Sequence, residues 1–88
     1  MTASHFDIVL ERRARKNLAA LDPLVRHRVA ACIDDLAANP RPSGATELKG
    51  RPGVLRIRAG DYRILYEIRD SQLIVLIINI GHRREIYR

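Results

Sequence analysis

The stretch Leu55-Arg56-Ile57-Arg58-Ala59-Gly60-Asp61-Tyr62-Arg63-Ile64-Leu65-Tyr66-Glu67-Ile68 decides how this chain folds. Apolar residues alternate with arginines over Leu55–Arg58, the two-residue period of a strand with one buried face. Leu55 and Ile57 point one way, Arg56 and Arg58 the other. Ala59-Gly60-Asp61 is short enough to close a hairpin. Beyond it Tyr62, Ile64, Tyr66 and Ile68 share a face, and Arg63 projects opposite. With Leu55, Ile57, Ile64 and Ile68 lining a core, Arg56, Arg58 and Arg63 gather on the outer face of one sheet. Three fixed guanidinium groups on a small rigid surface suit phosphate, since each offers a planar, charged fork of donors. The plainer alternative is a solvated strand face. The tail Gly81-His82-Arg83-Arg84-Glu85-Ile86-Tyr87-Arg88 favours phosphate, because it adds a histidine, more arginines and a tyrosine near the same surface.

Working outward, Leu73-Ile74-Val75-Leu76-Ile77-Ile78 is apolar on both sides, as in a central strand covered on both faces. That strand runs over about Leu73–Ile80 and is joined to its predecessor by Asp70-Ser71-Gln72. Upstream, Phe6–Leu10 reads as a short first strand and Glu11–Leu21 as a basic helix with Ala14, Leu18 and Leu21 on one side. Asp22-Pro23 is an N-cap followed by proline at the first helical position, so a second helix starts there. Its stripe is Val25, Val29, Cys32 or Ile33, and Leu36. Asn39-Pro40-Arg41-Pro42-Ser43-Gly44 ends it and opens a loop to about Gly53. The expected architecture is one α+β domain over residues 1–88, in the order β-α-α-β-β-β. A helical pair covers one face of a small, twisted, mainly antiparallel sheet, and the other face is a shallow basic concavity.

Composition narrows the function. At 88 residues, 47% hydrophobic and 30% charged, the chain is a single globular domain. No apolar run approaches the ~20 residues of a membrane span, and the N-terminus lacks the design of a signal peptide. Both point to the cytoplasm. The one cysteine, Cys32, has no disulfide partner within the chain and reads as a small core residue in a reducing compartment. His5 and His27 have no metal-ligand spacing with it, so neither a metal nor a cofactor is expected. The net charge is +6. Residues 45–88 carry nine cations against five anions, residues 1–44 seven against five, and 14 of the 16 cations are arginine. Arginine grips phosphate and stacks on bases, so a polyanion is the first partner to expect and an acidic protein segment the second.

The order strand, two helices, three-stranded meander, with Leu48-Lys49-Gly50, Gly60-Asp61-Tyr62-Arg63-Ile64-Leu65-Tyr66 and Gly81-His82-Arg83-Arg84-Glu85-Ile86-Tyr87, resembles the RelE/ParE superfamily of bacterial toxins. Nearly the whole chain takes part, and within the superfamily it is more similar to the RelE branch. That branch enters the ribosomal A site, cuts mRNA there without metal, and pairs with an antitoxin encoded beside it. The resemblance therefore implies a type II toxin–antitoxin toxin, an endoribonuclease with ribosome, mRNA and a small acidic antitoxin as partners, in a hetero-oligomer. It also implies the site. Arg56 and Arg58 stand where two lysines of that branch stand, Arg63 matches its strand arginine, and Tyr87 its terminal tyrosine. Arg83, or Arg84 because the segment from Gly81 to Tyr87 is shorter here, matches the arginine after the last strand. Lys49, Arg84, Arg12 and Arg13 are candidates for contact with RNA. The alternative within the superfamily is a ParE-like DNA gyrase inhibitor that cuts nothing. A module that only holds nucleic acid is a third reading.

Arginine in place of lysine at positions 56 and 58 has a chemical consequence. Metal-free RNA cleavage needs the 2′-hydroxyl deprotonated, the phosphorane's extra charge stabilised and the 5′-oxygen protonated. Arginine serves the second need, but its pKa of about 12.5 or more makes it a poor proton shuttle. That leaves His82, whose imidazole titrates in the right range, and Tyr87 as candidates for the mobile proton. His82 has a plainer reading as a structural hydrogen bonder, and Glu85 as a salt-bridge partner.

Overall fold

The computed structural model describes residues 5–86. The chain runs through β1 (Asp7–Leu10), α1 (Arg12–Ala19), α2 (Pro23–Ala38), β2 (Thr46–Glu47), β3 (Leu55–Ala59), β4 (Tyr62–Arg69), a 3-10 turn (Asp70–Gln72) and β5 (Ile74–His82). One mixed sheet of order β1-β5-β4-β3-β2 results, with β1 parallel to β5 and the remaining pairs antiparallel. The α+β class and the two helices stand as the sequence implies. The expected loop to Gly53 is corrected: it contains β2, which pairs with β3 through Thr46 and Glu47. A two-residue strand carries no hydrophobic period, so no pattern marks it, yet it covers backbone groups that β3 would otherwise leave open at an edge.

The helices start and stop for local reasons. Pro23 occupies the first turn of α2, where its fixed φ suits a helix and its missing N–H leaves no gap. Asp22 sits at the N-cap, but its side chain makes no capping hydrogen bond. The start rests instead on Pro23 and on the Arg26 N–H donating to the Asp22 carbonyl at 2.8 Å. At the other end the Phe6 N–H donates to the Ala37 carbonyl at 2.8 Å, tying the approach to β1 onto the end of α2. The β3–β4 connection is a two-residue turn, with Ala59 opposite Tyr62 and Gly60 at φ +62°. Glycine adopts that angle without steric cost.

The main core lies between the helices and the sheet. Ala14 of α1 and Val29, Ile33 and Leu36 of α2 meet Ile64, Tyr66, Val75, Ile77 and Ile80. Leu55, Ile57, Tyr62 and Ile68 pack against this cluster, which puts their alternating neighbours on the opposite, open face. Tyr66 is fully buried and its hydroxyl donates to the Pro40 carbonyl at 2.8 Å. Burial pushes its phenol up to about 12. Close by, Arg41 grips Asp70 with two bonds of 3.1 and 2.8 Å, fastening the end of α2 to the 3-10 turn. Arg41 holds the Asp70 carboxyl below the usual carboxylate range.

One irregularity shapes the open face. The β4–β5 ladder shifts register between Leu65 and Tyr66, so Leu65 pairs with Asn79 but Tyr66 with Ile77, leaving Ile78 extra. Such a bulge re-aims the side chains around it. Ile80 thereby joins the main core, while Ile78 packs with Leu65 on the far side. There Val54, Leu65 and Ile86 form a second, small buried cluster with Leu48 and Ile78 against it. The open face is thus apolar at one end and basic at the other, not basic throughout as the sequence pattern suggests.

Candidate nucleic-acid interface

Strand register assembles the arginines. Arg58 of β3 pairs directly with Arg63 of β4, and Arg63 in turn with Gly81 of β5. Two rungs along, Arg56 pairs with Leu65 and on its other side with Thr46, whose Oγ1 accepts from Arg56 Nε at 3.0 Å. The edge strand therefore orients the Arg56 fork. Arg63 Nη1 reaches the Tyr62 and Gly60 carbonyls at 3.4 and 3.5 Å, folding its head over the hairpin turn. Like charges directly opposite each other destabilise a sheet. The register places the Arg58 and Arg63 side chains as cross-strand neighbours on the face opposite the main core.

The segment after β5 supplies the other edge. The Arg83 N–H donates to the Asp61 carbonyl at 2.8 Å, and its Nε lies 3.9 Å from the exposed Asp61 carboxylate. The N–H groups of Glu85 and Ile86 both donate to the His82 carbonyl, at 2.8 and 3.0 Å, which closes a tight turn. That turn brings Ile86 over Gly81, where a Cβ on the glycine would stand 3.3 Å from Ile86 Cβ. A side chain at position 81 would push the turn away from the Arg63 row. Arg83 and Arg84 are both exposed beside this row. Tyr87 lies outside the described residues.

His82 is not brought together with the arginine pair. It stands opposite Tyr62, whose ring it meets edge-on with centroids 5.5 Å apart, and Tyr62 packs against the main core. His82 Nδ1 accepts the Arg84 N–H at 3.2 Å. Nδ1 is thereby engaged in fixing the Arg83–Arg84 turn.

Beside the arginines the open face sinks into a cleft of about 490 Å³. Its floor is Leu65, Ile78 and Ile86, with Leu48 at one wall, and its cations are Arg13 of α1 and Lys49 and Arg51 of the loop before β3. Lys49 and Arg13 thus line the same cleft, while Arg12 is exposed on α1 and does not line it. Three residues escape a reading of the sequence: Thr46, Arg51 and Asn79. Only the positive charge of Arg51 gave any signal. Asn79 lines the cleft, is only 9% exposed, and its Oδ1 accepts from Asn17 Nδ2 at 2.8 Å and from the Ile80 N–H at 2.9 Å. Cys32 is half-buried behind the sheet with its thiol pushed up by burial and then by Asp35, the reverse of an activated nucleophile. Among the described residues no three His, Cys, Asp or Glu side chains cluster as a metal site would require, and no helix is long and apolar enough to cross a membrane.

Residues 8–87 match the family model described as the ParE toxin of the type II toxin–antitoxin system parDE. The chain belongs to this toxin family. It is 34% identical over 76 residues to Toxin RelG of Mycobacterium tuberculosis, a match covering 85% of this chain and 87% of that protein. It is 28% identical over 81 residues to the mRNA interferase toxin RelE of Escherichia coli, covering 88% of this chain and 84% of that one. Among solved structures, a chain of the toxin–antitoxin complex RelBE2 from Mycobacterium tuberculosis superposes with a TM-score of 0.78 at 29% identity. That match covers 90% of this chain and 99% of the other. This toxin is therefore of the RelE-like superfamily in both sequence and fold. Its arginine row lies on the sheet face opposite the main core, and the cleft beside it is bounded in part by Arg13 of α1.

Proposed function

We propose that this toxin is an endoribonuclease that enters the ribosomal A site and cuts the mRNA there without a metal ion. The attacking 2′-oxygen forms a bond to the neighbouring phosphorus, and the bond from phosphorus to the 5′-oxygen breaks. The products are a 2′,3′-cyclic phosphate and a free 5′-hydroxyl, with the proton lost from the 2′-hydroxyl balanced by one delivered to the 5′-oxygen. Arg58 and Arg63 hold the phosphorane's additional negative charge, with Arg56 and Arg83 on the flanking oxygens. Tyr87 delivers the proton to the leaving oxygen. His82 acts through the backbone, holding the turn that carries Arg83 and Arg84. Lys49, Arg84, Arg12 and Arg13 bind the RNA backbone.

The cross-strand register of Arg58 and Arg63 is the observation that carries this reading. A fold has no structural use for two cations placed face to face, whereas a pentavalent phosphate does. The likeness to a relative named an mRNA interferase supports it. The solved toxin–antitoxin complex supports a cognate antitoxin that holds this toxin in a hetero-oligomer. With +6 on 88 residues, the complementary partner is a small acidic chain.

The test is a transcript mapped by primer extension in a translating cell-free extract. Cuts within codons, absent when translation is blocked, support the proposal. An intact transcript alongside arrested DNA supercoiling supports the second reading, a ParE-like gyrase inhibitor, which rests on the family model being that of the ParE toxin.

A further inference from the structure

We infer that Thr46 is a positioning residue for Arg56: its hydroxyl fixes the plane of that guanidinium, and the two-residue strand β2 is the brace that carries the hydroxyl there. This rests on the nuclease reading for what Arg56 meets, but the pairing itself stands on the geometry of the toxin alone.

The edge of the sheet is built around this contact. Thr46 lies directly opposite Arg56 in the β2–β3 register, so both side chains leave the sheet on the face of Arg58 and Arg63. Thr46 Oγ1 accepts from Arg56 Nε at 3.0 Å. Arg56 is half-buried, whereas Arg58, on the same strand and face, is exposed. A strand this short has little pairing of its own to hold it, and here both of its flanks are tied. Glu47, turned to the other face opposite Leu55, accepts the Gly53 N–H through Oε2 at 3.2 Å. The Leu48 N–H donates to the Val54 carbonyl at 2.7 Å, and the Ala45 N–H to the Pro42 carbonyl at 3.0 Å.

This contact gives arginine at position 56 a use that lysine cannot fill. A long side chain that rotates freely must give up that freedom when it meets a phosphate, and a group held in place beforehand avoids much of the cost. Arginine carries Nε part-way along its length, where a bond to the protein steadies the planar head without neutralising its charge. Lysine ends in a single ammonium nitrogen and has no such second point of attachment. Thr46 therefore acts through Arg56, and its effect depends on the arginine being there.

Two measurements on the full chain test this. The first is a double-mutant cycle on the single-turnover rate of mRNA cutting, with Thr46→Val and Arg56→Lys. Valine keeps the shape and strand preference of threonine but lacks the hydroxyl, so β2 should stay paired. Thr46→Val should slow cutting about two- to tenfold at saturating ribosomes, the range of one hydrogen bond, with half-saturation unchanged. Thr46→Ser should restore most of the rate. In the Arg56→Lys background Thr46→Val should change the rate by less than about twofold. The second measurement is the Arg56 Nε–H signal in ¹H–¹⁵N spectra of the free toxin. It should exchange with solvent more slowly than that of Arg58, remain slow in Thr46→Ser and become fast in Thr46→Val. No loss of rate, an equal loss in both backgrounds, or an Arg56 signal indifferent to the hydroxyl overturns the inference. A wild type that cuts nothing yet shows the hydroxyl-dependent signal leaves Thr46 as the holder of Arg56 and removes the nuclease reading.

Discussion

Arg58 and Arg63 face each other directly across the β3–β4 ladder, on the side of the sheet that no helix covers. Their repulsion is a stability cost of roughly 0.2–1 kcal/mol in the empty protein. Under the proposed nuclease function, a phosphate between them would turn that cost into binding energy. Replacing Arg58 with threonine, a good strand former, should therefore stabilise the fold by up to about 1 kcal/mol in urea unfolding while removing most mRNA cutting. A variant both less stable and fully active would show that the register serves packing.

The position of His82 yields a second expectation. Because it stands on the helix side and its Nδ1 holds the Arg84 N–H, His82→Gln should slow cutting modestly through the Arg83–Arg84 turn. The shape of the pH–rate profile should not change. Tyr87→Phe should instead slow the chemical step while mRNA binding stays intact. Loss of the rising limb of the profile in His82→Gln would restore the histidine as general base.

Tyr66 sets the behaviour of the fold in alkali. Its phenol keeps its proton up to about 12 in the folded chain, against 10.0 ordinarily, because it is buried and bonded to the Pro40 carbonyl. Below pH 10 both states hold the proton and the contribution is complete. As pH rises from about 10 through about 12 the unfolded chain releases it first, and stability is lost. Cys32, raised by burial, adds a loss of the same sign starting from its ordinary 9.0. Tyr66→Phe should abolish the Tyr66 part of this slope and cost about 1–3 kcal/mol at neutral pH by orphaning that carbonyl. A stability curve of unchanged slope in the variant would contradict this.

Leu73 closes the 3-10 turn before β5 in the left-handed region, at φ 53°, where a leucine side chain is strained. It is also 43% exposed, so little packing is lost on replacing it. Leu73→Gly or Leu73→Asn should raise stability by about 0.5–1 kcal/mol with no effect on cutting, measured by thermal unfolding beside the extract assay. Destabilisation of both variants would mean that the Leu73 side chain holds the turn.

The parts of the fold legible in the sequence are those with a clean period. β4 (Tyr62–Arg69) runs over the residues the alternation marks, and the facing of Arg56, Arg58 and Arg63 follows from the same count. The second helix was legible from Pro23 and its apolar stripe, although Asp22 does not cap it. What was not legible comes from breaks in the period. The extra residue at Ile78 reverses the parity of β5, so strict alternation from Ile77 would bury Asn79 in the core and hide it as a cleft residue. His82 was grouped with the tail arginines by proximity in sequence, but it still belongs to β5 and takes that strand's helix-side facing opposite Tyr62. The folding of Ile86 over Gly81 depends on two N–H groups meeting one carbonyl, which no composition or spacing announces.

The most direct test of the arginine clamp is the single-turnover rate of mRNA cutting on ribosomes programmed with one A-site codon, compared between the wild type and Arg63→Ala. Arg63 is half-buried on the open face and, among the described residues, bonds only to the carbonyls of its own turn, so its loss should leave the fold intact by circular dichroism. If it stabilises the cleaved phosphate in the transition state, the rate should fall by about 10²–10³. A folded Arg63→Ala protein that cuts at the wild-type rate would contradict the assignment of the clamp as the catalytic centre.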